Sequence, residues 1–212
     1  MPEMKHEIAV VNPTPIGCYL NKKHHVHKPL VTEFLEGAKP DHERNGLSHY
    51  EGNGSILHEV KAFTPIRRWV EDCALHFADN VMGFEVGSKM HCVGSWINVA
   101  SANGAQDPHQ HANSFISGTY YVRKKPEHSG IGFFPMSVVT PPSQPNLVVR
   151  SKGPNAFNSP DVINPPEGAL MLWMSHVQHG YPPSGVDGRT SLSMNFLPEV
   201  IEGVYGLRLS KV

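Results

Sequence analysis

The stretch ALMLWMSHVQHGYPPSGVDGRTSLSMNF, residues 169–196, joins two contrasting strands through a turn that carries histidines. Its first six residues are apolar, which predicts a buried strand. The second strand alternates between polar and apolar side chains, and so has one face of each kind. The polar face holds Arg189, Ser191, Ser193 and Asn195. If the apolar face packs in the core, the polar face is either exposed to solvent or lines a cavity that requires a guanidinium and hydroxyl groups.

The rest of the chain favours short strands joined by turns, and therefore an all-β core. Glycine and proline number 19 each in 212 residues, which is typical of many short elements. From residue 93 onward, short apolar runs are bounded by turn-forming residues. The predicted strands are 93–99, 115–122, 130–134, 147–149, 169–174 and 190–197. A chain of this length is expected to form a single domain, residues 1–212.

Residues 64–81 carry the clearest helical pattern. Thr64 is a candidate N-cap, Pro65 suits the first helical position, and apolar residues recur at helical spacing as far as Val81. We interpret this segment as a helix packed against a sheet, and a shorter helix is predicted at 30–35. Residues 1–92 are then a supporting region of helices and strands, and residues 93–197 are the core.

The composition argues against several classes of partner. Lys and Arg total 18 against 19 Asp and Glu, so no basic surface indicates nucleic acid or an anionic membrane. No apolar run reaches the roughly 20 residues of a spanning helix, and no secretory signal is present, so we expect a cytoplasmic protein. Three cysteines without C-x-x-C spacing predict reduced thiols. Edge strands would suit a symmetric homodimer.

His109 and His111 form an H-x-H pair directly before a predicted strand. In an extended segment, residues i and i+2 project to the same side, so both imidazoles can face one point. Imidazole nitrogens bind divalent metals at about 2.0 to 2.2 Å, and two such ligands leave other faces of the ion free. A third ligand must come from elsewhere, and the turn after residue 174 offers His176 and His179. The histidines at 24, 25 and 27 are expected to be solvated.

The order of these elements resembles the iron(II)- and 2-oxoglutarate-dependent oxygenases. It is most similar to the branch that carries W-x-N, H-x-H, SGxYY, EG, a distal histidine and RxSxxxN in that order. The corresponding residues here are Trp96-Ile97-Asn98, His109-Gln110-His111, Ser117-Gly118-Thr119-Tyr120-Tyr121, Glu167-Gly168, His179 and Arg189 to Asn195. The resemblance covers residues 93–197. It implies a double-stranded β-helix, a cupin-like jelly roll, with flanking N-terminal helices.

The resemblance also implies a site. In that family a histidine, a carboxylate and a distal histidine hold catalytic iron(II). His109 would be the first ligand, and matching the family segment F-P-S-W-x-x-H to residues 173–179 selects His179 over His176 as the distal one. Arg189 would bind the far carboxylate of 2-oxoglutarate with help from Ser191. Asn98 is a further candidate contact for the co-substrate.

Position 111 departs from the general family pattern, which has aspartate or glutamate there. We interpret His111 as the third metal ligand, and Asp107, which has the same strand parity, is the alternative; Pro108 makes that parity unreliable. Three neutral imidazoles leave a site one unit more positive than two imidazoles and a carboxylate. Metal affinity and oxygen reactivity should change accordingly.

We therefore expect an iron(II)- and 2-oxoglutarate-dependent oxygenase that hydroxylates an unidentified small molecule or peptide. One alternative is a three-histidine cupin-type dioxygenase that does not use 2-oxoglutarate, and another is a non-enzymatic metal-binding jelly roll.

Residues 136–166 form a long proline-rich connection, interpreted as a loop over the binding site. Six aromatic residues are candidates for the pocket wall, although strand aromatics more often pack in a core: Tyr120, Tyr121, Phe133, Phe134, Trp173 and Tyr181.

Overall fold

The computed structural model describes residues 14–134, 159–201 and the short strand at 207–208. Its helices are α1 (His24–Gly37), α2 (Ile56–Glu59) and α3 (Thr64–His76). Its strands are β1 (Gly17–Leu20), β2 (His42–Arg44), β3 (Leu47–Tyr50), β4 (Met90–Ala100), β5 (Gln106–His109), β6 (Ile116–Arg123), β7 (Ile131–Phe133), β8 (Asp161–Ile163), β9 (Ala169–Met174), β10 (His179–Tyr181), β11 (Arg189–Pro198), β12 (Val200–Ile201) and β13 (Leu207–Arg208).

Eleven strands form a seven-stranded sheet in the order β1-β9-β6-β11-β4-β3-β2 and a four-stranded sheet in the order β5-β10-β7-β8, and β12 pairs with β13 in a separate two-stranded sheet. All their pairings are antiparallel. From β4 to β11 the chain passes repeatedly between the two sheets, which is the path of a double-stranded β-helix. The predicted jelly-roll core with flanking N-terminal helices is confirmed.

Strand β11 shows how the two faces of the large sheet are used. Leu192, Met194 and Phe196 are fully buried in the cluster that the sheet forms with the helices. The alternate residues turn toward the small sheet, and Arg189, Ser191 and Ser193 line a cavity there. Of the two interpretations that the sequence left open for the polar face, the structure supports the cavity.

A second apolar cluster lies between the two sheets and closes the space behind that cavity. It consists of Tyr121, Ile131, Phe133, Met171 and Trp173. Burial of such side chains stabilises the fold by about 1.5 to 3 kcal/mol each. The glycine of SGTYY serves the packing of the large sheet, because a Cβ on Gly118 would lie 2.6 Å from Leu172 Cδ2 on the neighbouring strand.

The N-terminal helices differ in detail from the prediction. Helix α3 begins at Thr64, but the Thr64 hydroxyl donates to the Lys61 carbonyl at 2.8 Å and does not cap the helix. The helix ends at His76 and passes into a π-helical turn, Phe77–Val81, which leaves Val81 51% exposed. Helix α1 is longer than the predicted 30–35 and contains Pro29, which forgoes one backbone hydrogen bond.

Five of the six predicted strands are confirmed, and the sixth, 147–149, lies outside the described residues. The predicted loop at 136–166 also lies outside the described residues as far as residue 158, and its last part contains β8.

The three cysteines, Cys18, Cys73 and Cys92, are unpaired. The solvated cluster predicted at the N-terminus is wrong for two of its three residues. His27 is buried and bonded to Asn21 at 2.8 Å, and His24 is partly buried and bonded to Tyr120 and Glu167. Within the described ranges, no helix combines the length and hydropathy that a bilayer span requires.

Candidate metal and co-substrate site

Two strands of the small sheet place the histidines. His109 is the last residue of β5, His179 is the first of β10, and the two are paired directly across the strands. His111 follows two residues later and is fixed by its backbone N–H, which donates to the Ser175 carbonyl at 3.0 Å. Short strands and a single backbone bond thus bring together three side chains that are up to 70 residues apart in the sequence.

The three imidazoles form one cluster. Their ring centroids lie 4.3 Å apart for His109 and His179, 5.0 Å for His109 and His111, and 5.4 Å for His111 and His179. One nitrogen atom from each ring lies within 4.8 Å of the corresponding atoms of the other two rings. Metal–nitrogen bonds of about 2.1 Å place neighbouring ligand atoms about 3 Å apart, so small rotations of the rings would complete a three-nitrogen site.

The backbone sets the tautomer of two of the rings. Nδ1 of His109 lies 2.9 Å from the Asp107 carbonyl, and Nδ1 of His179 lies 3.0 Å from the Val177 carbonyl. A carbonyl oxygen can only accept, so both Nδ1 atoms carry hydrogen and the Nε2 lone pairs are free for a metal. Burial lowers the pKa of His179 to about 3 and that of His111 to about 4. Both rings are therefore neutral at physiological pH, which is the form that binds metals.

Arg189 lies at the start of β11 and is 3% exposed. Its guanidinium carbon stands 3.4 Å from the centre of the Tyr181 ring, and Nη1 donates to the Ser129 carbonyl at 3.4 Å. No carboxylate among the described residues forms an ion pair with it. A buried cation without a counter-ion is costly, and the planar fork of arginine matches a carboxylate, so this position suits an anionic ligand.

All six site residues named from the sequence line one cavity. These are Asn98, His109, His111, His179, Arg189 and Ser191. The sequence alternatives lie elsewhere: the side chains of Asp107 and His176 are exposed, and Asp107 does not belong to the histidine cluster. Asn98 is paired with Ser191 across β4 and β11, which places the amide and the hydroxyl side by side.

The cavity contains polar atoms that lack partners. Six buried side-chain polar atoms in the described part of the chain have no hydrogen-bond partner, and four belong to residues that line this cavity. They are Asn98 Oδ1, Trp173 Nε1, Tyr181 Oη and Arg189 Nε. Since buried polar groups are almost always paired, this concentration fits a site that receives a polar ligand. The three donors, on Trp173, Tyr181 and Arg189, suit anionic ligand groups, whereas Asn98 Oδ1 requires a group that donates.

Sequence reasoning only partly identified the aromatic wall. Tyr121, Trp173 and Tyr181 line the cavity, whereas Tyr120 faces the helices and packs against Trp69. Trp96 also lines it, with its ring 5.7 Å from that of His111. The alternation of side chains along a strand shows which residues share a face of the sheet. It does not show which face borders the cavity, because that depends on how the strands pair.

Comparisons with known proteins agree with this geometry. Residues 94–195 match the family described as "Putative 2OG-Fe(II) oxygenase". No curated protein matches the chain by sequence.

Among solved structures, a prolyl-4-hydroxylase from Pseudomonas putida matches with a TM-score of 0.57 and 15% identity, over 87% of this chain and 93% of that one. The alpha ketoglutarate dependent epimerase SnoN from nogalamycin biosynthesis matches with a TM-score of 0.65 and 10% identity, over 88% and 80%. HygX from Streptomyces hygroscopicus, with nickel and 2-oxoglutarate bound, gives 0.62 and 10%, over 87% and 83%. Identities this low establish a shared fold and no more.

Proposed function

We propose that the chain is an iron(II)- and 2-oxoglutarate-dependent oxygenase whose metal is held by His109, His111 and His179, and the match of residues 94–195 to the 2OG-Fe(II) oxygenase family supports this proposal. The convergence of the three imidazoles on one point, in a cavity that also contains an unpaired arginine, carries the proposal. A protein of the same fold, HygX, holds nickel and 2-oxoglutarate.

The co-substrate would lie between the histidines and Arg189. Arg189 would bind the far carboxylate through its unpartnered Nε and the rest of the fork, and the ring of Tyr181 holds the guanidinium flat for that contact. Ser191 adds a hydroxyl donor two residues along the same face of β11. The unpartnered Asn98 Oδ1 beside it would accept from a hydroxyl, a water or a protonated ligand group.

The bound iron(II) would supply the redox chemistry, in which O₂ converts 2-oxoglutarate to succinate and CO₂ and the second oxygen atom enters a C–H bond of the substrate. The chain's own residues perform three other tasks. The two backbone carbonyls fix the ring orientation of His109 and His179. Arg189 orients the co-substrate. The cluster that contains Trp173 and Phe133 adjoins the cavity and would help to exclude water from it.

The three-histidine set also favours a second candidate, a cupin-type dioxygenase that acts on its substrate with O₂ alone. Such an enzyme has no use for a keto-acid anchor, so a buried arginine without an acidic partner is less easily explained. Oxygen uptake in the absence of 2-oxoglutarate, unchanged in Arg189→Met, would identify this second function.

The first function is tested by anaerobic titration. Protein loaded with iron(II) should develop the weak visible charge-transfer band of the iron and 2-oxoglutarate chelate, and aerobic turnover should then yield succinate. A fully metallated sample with no band and no succinate would contradict the proposal. A sample that binds metal but forms neither band nor product in any assay would indicate the non-enzymatic module.

We also propose that residues 1–92 and 93–197 belong to one domain, which the packing of α1, α2 and α3 on the large sheet supports. A cytoplasmic location, a symmetric homodimer and the absence of a nucleic-acid partner stay predictions. The nearly balanced charge of the chain supports the last of these.

A further inference from the structure

The cavity around the histidine cluster offers no negative charge. Its described lining consists of imidazoles, amides, hydroxyls, aromatic and apolar groups and the guanidinium of Arg189, without an aspartate or glutamate. At position 111 a carboxylate would contribute one negative charge, whereas the neutral imidazole of His111 contributes none.

The environment of Arg189 is also positive. The ammonium of Lys124, which is 7% exposed, lies close enough to interact electrostatically with Arg189. Among the described residues, the ammonium of Lys124 donates to three neutral acceptors: the Lys125 carbonyl at 3.3 Å, Asn164 Oδ1 at 2.6 Å and the His128 carbonyl at 2.8 Å. Burial and then the charge of Arg189 lower the pKa of Lys124. In the described part of the chain, Glu127 acts on Lys124, but no carboxylate forms an ion pair with Arg189.

A charge count of the loaded site, which rests on the proposed function, leaves an excess. A divalent metal brings two positive charges and Arg189 brings one, while 2-oxoglutarate brings two negative charges. One positive charge is uncompensated in a space where charges interact several times more strongly than in water. We propose that the substrate carries an anionic group, such as a carboxylate, that enters the cavity beside the histidine cluster and neutralises this charge.

Trp173 provides a hydrogen-bond donor for that group. Its ring lies 4.6 Å from the ring of His179, so the indole is at the metal end of the cavity. The side chain is 1% exposed, and its Nε1 hydrogen has no acceptor. An anion would satisfy this donor with a charge-assisted hydrogen bond, which is stronger than one to a neutral acceptor.

The test uses cobalt(II) as a spectroscopic probe in the intact protein under anaerobic conditions. The visible spectrum is recorded with cobalt(II), then with 2-oxoglutarate, and then during titration with acetate or with acetamide, its neutral analogue of the same shape. We expect a saturable change with acetate and at least about tenfold weaker binding of acetamide. Equal responses to the two probes, or no response to either, would overturn the inference.

Variants and a second anion refine the result. The His111→Asp variant has a negatively charged carboxylate at this position. It should still bind cobalt(II) and 2-oxoglutarate but bind acetate at least about tenfold more weakly than the unaltered protein does. Chloride that binds as tightly as acetate would show that a free inorganic anion, and not a substrate group, fills the position. If His111→Asp does not fold, the acetate and acetamide pair on the unaltered protein still decides. Failure of 2-oxoglutarate to change the cobalt spectrum would instead contradict the proposed function.

Discussion

His109 and His179 face each other across paired positions of β5 and β10, with ring centroids 4.3 Å apart. Each ring is oriented by a backbone carbonyl two residues earlier in the chain, that of Asp107 for the first and that of Val177 for the second. Both free Nε2 atoms are therefore in place before a metal binds. This arrangement is typical of metal-binding histidines, whose other nitrogen is held by a hydrogen bond.

Replacement of His179 by alanine should therefore weaken metal binding by at least about a hundredfold, because it removes one of three ligands from a preorganised set. Cobalt(II) titration followed by visible absorbance measures the effect. His176→Ala is the matched control, since His176 lies three residues away in the same turn with an exposed side chain. Similar losses in the two variants would show that the turn, and not the imidazole at 179, determines metal affinity.

The alternation of β11 predicted which side chains share a face with Arg189, whereas His179 was selected by the family resemblance, and the roles of these residues stay predictions. Residues 190–197 alternate polar and apolar, and the structure places the polar side in the cavity. The apolar strand 169–174 was predicted with its observed bounds. Long strands with a clear period are the elements that a single sequence specifies most firmly.

Other features depended on contacts that no local pattern records. Strands β5 and β10 have four and three residues and contain proline, glycine and histidine, so the pairing of His109 with His179 could not be seen. Trp173 Nε1 and Tyr181 Oη are buried without a hydrogen-bond partner, and only the three-dimensional structure shows that a partner is missing. Thr64 is a residue type that often caps helices. Its hydroxyl instead donates to the carbonyl of Lys61, in the 3₁₀ turn Lys61–Phe63 that precedes the helix.

Replacement of Arg189 by methionine should separate ligand binding from stability. The affinity for 2-oxoglutarate should fall by at least about a hundredfold, since truncation of one partner of a buried, hydrogen-bonded charge pair costs about 2 to 5 kcal/mol. The free protein should keep its stability or gain some, because an unpaired buried cation is removed. Charge-transfer titration and urea unfolding measure the two quantities.

Arg123→Met serves as the control for that experiment, since Arg123 is exposed and paired with Thr190 on the strand that carries Arg189. It should leave the 2-oxoglutarate affinity unchanged. An Arg189→Met protein that binds 2-oxoglutarate normally would remove the proposed anchor and favour the dioxygenase that uses O₂ alone.

Ser191 and Leu192 are adjacent on β11, and substitutions of these two residues should affect different properties: co-substrate affinity for Ser191 and stability for Leu192. Leu192 is fully buried against the helices, so Leu192→Ala should lower the free energy of unfolding by about 2 to 5 kcal/mol and leave the co-substrate affinity of the folded protein nearly unchanged. Ser191→Ala should cost about 1 kcal/mol or less in stability but weaken 2-oxoglutarate binding severalfold, through loss of one hydroxyl donor. A fall in ligand affinity with Leu192→Ala alone would contradict the assignment of the two faces.

A polar network on the opposite side of the large sheet attaches helix α1. Glu167 accepts from Lys28 Nζ at 2.6 Å, from His24 Nε2 at 3.2 Å and from the Lys124 N–H at 3.1 Å. His24 Nδ1 in turn lies 2.6 Å from the Tyr120 hydroxyl. Burial would raise the pKa of Glu167, but the hydrogen bonds from Lys28, the Lys124 N–H and His24 outweigh burial and hold that pKa below its usual value.

The lowered pKa of Glu167 predicts a pH-dependent contribution to stability. A carboxylate with a depressed pKa in the folded state stabilises the protein fully above its unfolded pKa of about 4.3, and this contribution is lost as the pH falls through the folded pKa. Glu167→Gln should therefore lower the free energy of unfolding by about 1 kcal/mol at pH 7, and this difference should shrink as the pH is lowered below about 4. Urea unfolding at both pH values measures it, with Glu36→Gln on the exposed side of α1 as the control that should show no difference at either pH. A deficit in Glu167→Gln that stays constant down to low pH would mean that packing, and not the charge of Glu167, attaches the helix.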